Sequence, residues 1–263
     1  MKRPPNGRTL PPESTGPPHF SCYLKDLAQI RRQAESTPEL SLREPLTALI
    51  RKVAEEVGRQ KLLVAPEADA EEAGQPDIFI KDDSRLVGFV ETKRPDEDLD
   101  KWLRTDKQAK RYIASLPNWV LTDYYRFIFI REESIVGRAS VEDPGALTAA
   151  FSAFLAYAPP AIRSPKRLAQ ELARRARLLR DGLLSLLRRE PEDGPLRQVH
   201  SFYRRSLMDD LDEEGFADTF AQTIVYGLFL ARLGTDSKEF TRQSAVGAIP
   251  QSIPFLRSAV RLL

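Results

Sequence analysis

The sequence is poor in the residues that make soft metal sites and covalent cross-links. It has one cysteine, Cys22, and two histidines, His19 and His200. A single thiol excludes an internal disulfide framework and fits a reducing compartment. Three soft ligands scattered over the chain exclude a structural zinc centre, so a metal here would be a hard cation held by oxygen. His19, His200 and Cys22 receive no chemical role. No apolar run is long enough to span a membrane, and the first residues lack a secretory apolar core. The expectation is a cytoplasmic protein with no membrane partner. No Gly-rich phosphate loop of the Walker type is present, which excludes ATP-driven translocation.

What is there is charge, nearly balanced. Charged residues make up 30% of the 263 positions for a formal net charge of +2, so overall balance does not announce a polyanionic partner. The distribution is uneven. Between Arg163 and Arg189 nine Lys or Arg stand against two acids, whereas Met208 to Gly215 is acidic. The basic stretch carries Leu168, Leu172, Leu179, Leu183 and Leu186 along one stripe. That reads first as a solvated amphipathic helix, with contact to a DNA backbone as the functional alternative.

Residues 1–18, rich in Pro and Gly, read as a disordered leader. "ELSLREPLTALIRKVAEEVG" places Leu42, Leu46, Leu49, Ile50, Val53 and Val57 at helical spacing, with Pro45 expected in the first turn and Gly58 at the end. "KLLVAPEA", "PDIFI" and "RLVGFVETK" read as three strands, the last two joined by a turn at 81–84. "LDKWLRTDKQAKRYIASL" reads as one helix stopped by Pro117, and "NWVLTDYYRFIFIRE" as two strands around Asp123. The predicted order to about residue 132 is helix, three strands, helix, two strands. From 145 onward the pattern is helical: 145–157, 165–190, 196–208 and 216–233, then the apolar "IPFLRSAVRLL". The expected domains are a leader over 1–18, a catalytic α/β domain over 19–160 and a helical connector over 161–263.

The chemistry concentrates in "PDIFIKDDSRLVGFVETKRP". Residues two apart on a strand share a face, so Glu91 and Lys93 project together. A tight turn brings Asp77 alongside Glu91. Two adjacent carboxylates raise each other's pKa and are stable as anions only with a cation between them. Mg²⁺ suits a pair of carboxylates plus water and phosphate oxygens, with Mn²⁺ able to substitute. The bland alternative is the solvated end of an ordinary hairpin. Trp102 and Trp119 read as packing residues.

Pro76-Asp77, thirteen intervening residues and Glu91-Thr92-Lys93 resemble the PD-(D/E)xK nuclease signature. Gln108 and Tyr112 match the Gln-x-x-x-Tyr element of many such nucleases. "ELSLREPLTALI" is similar to their first helix in large restriction–modification proteins, where a glutamate precedes an Arg-x-x-Leu pattern. Glu39 occupies that place, with Glu44 as the substitute, although a glutamate at a helix start is also an ordinary capping charge. "FADTFAQTIVYGLFLARL" is similar to the helical connector that joins nuclease to adenine methyltransferase in type IIG and type ISP-like enzymes. The likeness covers about residues 37–135 and 198–263.

The resemblance implies a restriction-endonuclease-like mixed sheet flanked by helices, followed by an all-helical connector. It implies Mg²⁺-dependent cleavage of double-stranded DNA, with Asp77 and Glu91 as metal ligands and Lys93, Gln108 and Glu39 completing the catalytic set. It also implies a methyltransferase or specificity domain or subunit as partner. No methyltransferase fingerprint is present: Asn-Pro-Pro-(Phe/Tyr) and a Gly-rich methyl-donor loop are both missing. The expectation is therefore the front part of a larger enzyme, or a separated or truncated gene product. A non-catalytic DNA-binding or assembly subunit on the same scaffold is the competing expectation.

Overall fold

A computed structural model describes residues 17–33, 39–66, 76–82, 85–206, 208–235, 240, 244 and 247. The expected leader, the tip of the turn at 83–84 and the apolar run at 253–263 lie outside these, apart from residues 17 and 18. The described residues fall in two compact units, one ending at Pro159 and one beginning at Pro160.

The first unit opens with α1 (Pro18–Gln33), which starts inside the stretch read as leader, and α2 (Glu39–Glu56). On α1, Phe20, Tyr23 and Leu27 recur at helical spacing and are buried; on α2, Leu42, Leu46, Leu49, Ile50 and Val53 do the same. Gly58 ends α2 in the left-handed region at φ 75, where the absence of a Cβ removes the steric cost. Pro45 is a correction. It lies inside α2 rather than in its first turn, so the carbonyl one turn earlier loses its usual donor. Its burial among the core leucines holds it there.

Six strands follow, interrupted by two helices: β1 (Leu62–Pro66), β2 (Ile78–Asp82), β3 (Arg85–Thr92), α3 (Leu99–Thr105), α4 (Lys107–Ser115), β4 (Asn118–Thr122), β5 (Arg126–Arg131) and β6 (Ser134–Ser140). They form one sheet in sequence order. Every neighbouring pair is antiparallel except β3 and β4, which run parallel, as the crossover through α3 and α4 requires. α5 (Pro144–Leu155) completes the unit. The α/β class expected from the sequence is the class observed, a mixed sheet flanked by helices.

Three features differ from the expected order, the first being that α1 precedes the helix read from residue 39 onward. The single helix between β3 and β4 is two helices, because Asp106 adopts an extended conformation (φ −77, ψ 140) and ends α3 while capping α4 through its side chain. A sixth strand, β6, was not anticipated. It pairs with β5 across a two-residue turn at Glu132 and Glu133, both at positive φ (46 and 71).

One face of the sheet, including Ile78, Ile80, Val90, Val120, Phe127 and Phe129, packs in a single cluster with α1, α2 and α5. On the other face, Tyr112 of α4 meets Trp119 of β4 edge-on, with ring centroids 5.7 Å apart. β4 is buried on both faces, as a central strand must be. Its Asn118 side chain donates to the carbonyls of Val87 and Phe154.

In the second unit, α6 (Pro165–Arg189), α7 (Pro195–Ser206) and α8 (Glu213–Leu233) bury Leu183, Leu187, Leu196, Tyr203, Phe216 and Phe220 together. Asp212 caps α8 and starts it three residues earlier than expected. The apolar stripe of α6 also needs correcting. Leu186 is exposed, Leu187 is buried in its place, and Arg174 is buried beside Glu171.

Gly88 of β3 faces α5 at close range. A Cβ there would lie 2.6 Å from the Phe154 ring and 2.9 Å from the Asn118 carbonyl. Gly88→Ala is therefore expected to cost about 1–3 kcal/mol through overpacking, which outweighs the roughly 0.4–1 kcal/mol a Gly→Ala change gains by restricting the unfolded chain. Chemical denaturation of the two proteins checks this; an unchanged or raised midpoint would contradict the packing.

Candidate functional site

The antiparallel pairing of β2 with β3 sets Ile78 opposite Val90. Continuing that register places Asp77 opposite Glu91, as the sequence spacing predicts. Pairing alternates faces, so Val90 enters the core while Glu91, aligned with Leu121 of β4, turns to the side covered by α4. Lys93 extends the parallel pairing beyond β3, its backbone N–H donating to the Thr122 carbonyl at 2.7 Å. Both carboxylates are buried, at 5% exposure for Asp77 and 3% for Glu91.

Their partners differ. Asp77 Oδ2 accepts from the Thr92 backbone N–H at 2.7 Å and from the Thr92 hydroxyl at 2.6 Å. Asp77 Oδ1 faces the Arg43 guanidinium, with Nη2 at 2.6 Å. Glu91 Oε1 accepts from the Lys93 ammonium at 2.7 Å, whereas Glu91 Oε2 is buried with no hydrogen-bond partner. Burial, followed by the negative charge of Asp77, pushes the Glu91 carboxyl up to about 8; Lys93 and the Tyr112 hydroxyl pull the other way.

α4 supplies the second wall. The Asp106 carboxylate caps it by accepting from the Gln108 N–H at 2.7 Å. The Gln108 side-chain amide in turn donates to the Tyr112 hydroxyl at 2.8 Å. Burial, then the Glu91 charge, raises the Tyr112 phenol well above its ordinary range, so it stays a neutral hydrogen-bonding group. Trp102 of α3 is more than a packing residue. The Lys93 ammonium sits 4.3 Å from its ring centroid, where cation–π attraction fixes the ammonium. Trp119 is fully buried and packs as expected.

The structure thus brings together Asp77, Glu91, Lys93, Gln108 and Tyr112. Glu39 is the first residue of α2, but its side chain lies outside the described residues. Glu44 does not approach the carboxylates; it is exposed and faces Arg51 at 3.7 Å. Three residues at the site escaped the sequence reading. Thr92 is the unspecified position of the motif, Trp102 lacks a motif, and Arg43 belongs to the Arg-x-x-Leu pattern without an assigned role.

The donor set fits a hard divalent cation. Two carboxylates face one another out of water, and Glu91 Oε2 makes no close hydrogen bond, with only the Tyr112 hydroxyl near enough to offset it, a situation that ordinarily demands protonation or a cation. Asp77 and Glu91 would hold it. Among the described residues no group of three or more His, Cys, Asp or Glu side chains is arranged as a metal site. The helical unit has a cavity of about 610 Å³ lined by side chains including Arg197, His200, Arg204, Asp210 and Glu213, which contains none of the motif residues. No described helix is long and apolar enough to cross a membrane.

No family model matches the chain, and no curated protein matches it. Among solved structures it is similar to one described as "cryoEM structure DrdV-DNA complex", with 18% identity and a TM-score of 0.45 over 93% of this chain. The chain spans 26% of that protein's length.

In metal-free buffer, Glu91 makes folding depend on pH. A carboxyl whose folded pKa is raised from 4.5 to about 8 binds its proton more tightly in the folded protein than in the unfolded chain. Its stabilising contribution is complete below about pH 4.5 and is lost as pH rises toward about 8, by at most about 1.4 kcal/mol per pH unit. Unfolding of the wild type and Glu91→Gln in EDTA across this range checks the expectation: the substitution should flatten the decline. Parallel profiles would place the proton elsewhere.

Proposed function

We propose that the chain is a Mg²⁺-dependent DNA endonuclease, hydrolysing phosphodiesters as the nuclease part of a restriction–modification or phage-defence system. The observation that carries this reading is the pairing of two buried carboxylates on adjacent strands with a lysine fixed beside one of them. Double-stranded DNA is the proposed substrate, and a methyltransferase or specificity domain or subunit the proposed partner.

Asp77 and Glu91 would hold a Mg²⁺ or Mn²⁺ ion, which would supply polarisation of the phosphodiester and acidification of water. The protein's own groups do the remainder. Glu91 Oε1 and the Trp102 ring hold the Lys93 ammonium in place, where it can orient a water by hydrogen bonding or offset negative charge growing on the phosphorus oxygens. Thr92 fixes Asp77 through two hydrogen bonds, so this carboxylate is oriented before any ligand arrives. Gln108, with its amide committed to Tyr112, supports the wall above Glu91, and an assisting role at the site is proposed for it. This division of labour fits phosphodiester hydrolysis better than acyl transfer, because the Thr92 hydroxyl, which donates to Asp77, is buried and spent on fixing that carboxylate rather than presented to a substrate as a nucleophile.

A second reading is favoured by one observation. Both oxygens of Asp77 are already engaged, by Arg43 and Thr92, which suits a non-catalytic DNA-binding or assembly subunit that keeps the nuclease scaffold with a closed site.

The two readings separate in a cleavage assay on supercoiled and linear DNA. Cutting is expected only with Mg²⁺ or Mn²⁺, and Asp77→Ala should lower the rate on the order of a thousandfold or more. Full activity of that variant, or activity in EDTA, would contradict the assigned site. Lys93→Ala should lose cleavage yet keep cation binding by calorimetry, since an ammonium is a donor and not a metal ligand. Loss of cation binding together with unfolding would instead make Lys93 a structural residue.

A further inference from the structure

Arg43 brings to the site a positive charge that the proposed chemistry does not use. Its side chain leaves α2 and is 7% exposed, as is that of Asp77, which it contacts through Nη2 at 2.6 Å. A buried arginine that serves as a permanent structural anchor ordinarily spends its whole planar fork, because each unpaired buried donor costs free energy. Arg43 does not. Its Nε and Nη1 are buried without any hydrogen-bond partner, so the guanidinium is held by one prong on Asp77 Oδ1.

The charge balance gives this contact a consequence. Once Glu91 is ionised, as cation binding requires, Asp77 and Glu91 are matched by Arg43 and Lys93, two acids against two bases, in a buried site. A divalent cation entering beside both carboxylates would add two positive charges at low dielectric, which is costly unless a positive group withdraws. Lys93 has a second hold in the Trp102 ring. Among the described residues the Arg43 side chain is held at Asp77 alone, and it covers one of the oxygens a cation would need. We propose that Arg43 is the counter-ion of Asp77 in the metal-free protein and is displaced from it when a divalent cation binds. This rests on reading Asp77 and Glu91 as a cation site. It makes Arg43 a positioning residue that holds the empty site together and sets the threshold for loading it, and it reconciles a fully engaged Asp77 with metal-dependent chemistry.

The test uses the full chain without DNA and with Mn²⁺ as the probe. Calorimetric titration of the wild type and Arg43→Gln is expected to show binding about tenfold tighter or more in the variant, about 1.4 kcal/mol, because the competing charge is gone while a hydrogen-bond donor is kept. The same variant should unfold at lower temperature when metal-free and gain more from Mn²⁺ than the wild type gains. A second measurement needs no substitution. Modification of wild-type Arg43 by phenylglyoxal, followed by peptide mass spectrometry, should rise on adding Mn²⁺, since the guanidinium leaves its buried contact. Equal or weaker binding in Arg43→Gln, or Arg43 labelling unchanged by an ion that the wild type binds, overturns the exchange and leaves a permanent structural ion pair. No Mn²⁺ binding by either protein overturns the cation site itself, and the exchange with it.

Discussion

The register between β2 and β3 is the constraint on which the site depends. Continued one residue past Ile78 and Val90, it sets Asp77 against Glu91 at the open end of the hairpin, and a shift of one residue would turn Glu91 into the aliphatic core and Val90 out of it. The energetic burden of two facing carboxylates is substantial, because neither can be left buried and unpaired. The surrounding structure answers with three different devices. Thr92 gives hydrogen bonds to Asp77, Arg43 gives it a counter-charge, and Lys93 gives one to Glu91 while resting on Trp102. Glu91 Oε2 keeps no close hydrogen bond and only the Tyr112 hydroxyl to offset it, and that residual demand supports a cation.

The scaffold around this pair explains how such a site can be kept. β3 and β4 run parallel at the middle of the sheet, with α1, α2 and α5 on one face and α3 and α4 on the other. Core packing against Val90 and Val120 fixes the strand while leaving the opposite face to polar work. The break at Asp106 belongs to the same design. By ending α3 and capping α4 it turns the second helix so that Gln108 and Tyr112 stand over Glu91 while Trp102 stays beside Lys93. A single straight helix would not separate these two tasks.

Much of this was legible from residue order, and the exceptions have physical reasons. Amphipathic spacing gave α2 and the helices after Pro144, and β-rich apolar runs gave β1 to β5, because burial imposes those periods directly. β6 was missed because its hairpin turns at Glu132-Glu133, which adopt the left-handed conformations usually signalled by Asn-Gly, and because most of its residues are exposed. The split between α3 and α4 was missed because no Pro or Gly lies between Leu103 and Ala109; only the capping chemistry of Asp106 marks the break. At the site, the motif named Asp77, Glu91 and Lys93, but Arg43 and Trp102 act from helices whose approach is a tertiary fact. An arginine on an amphipathic helix ordinarily faces water, and nothing local distinguishes Arg43 from one that does.

The central claim is that Asp77 and Glu91 hold one divalent cation between them. Its most direct test is a crystal of the full chain soaked in Mn²⁺, with data collected to bring out the anomalous signal of manganese. The account predicts one strong anomalous peak in contact with an oxygen of Asp77 and with Glu91 Oε2. A saturating soak that leaves this position without a peak, with the Arg43 contact to Asp77 intact, would contradict it.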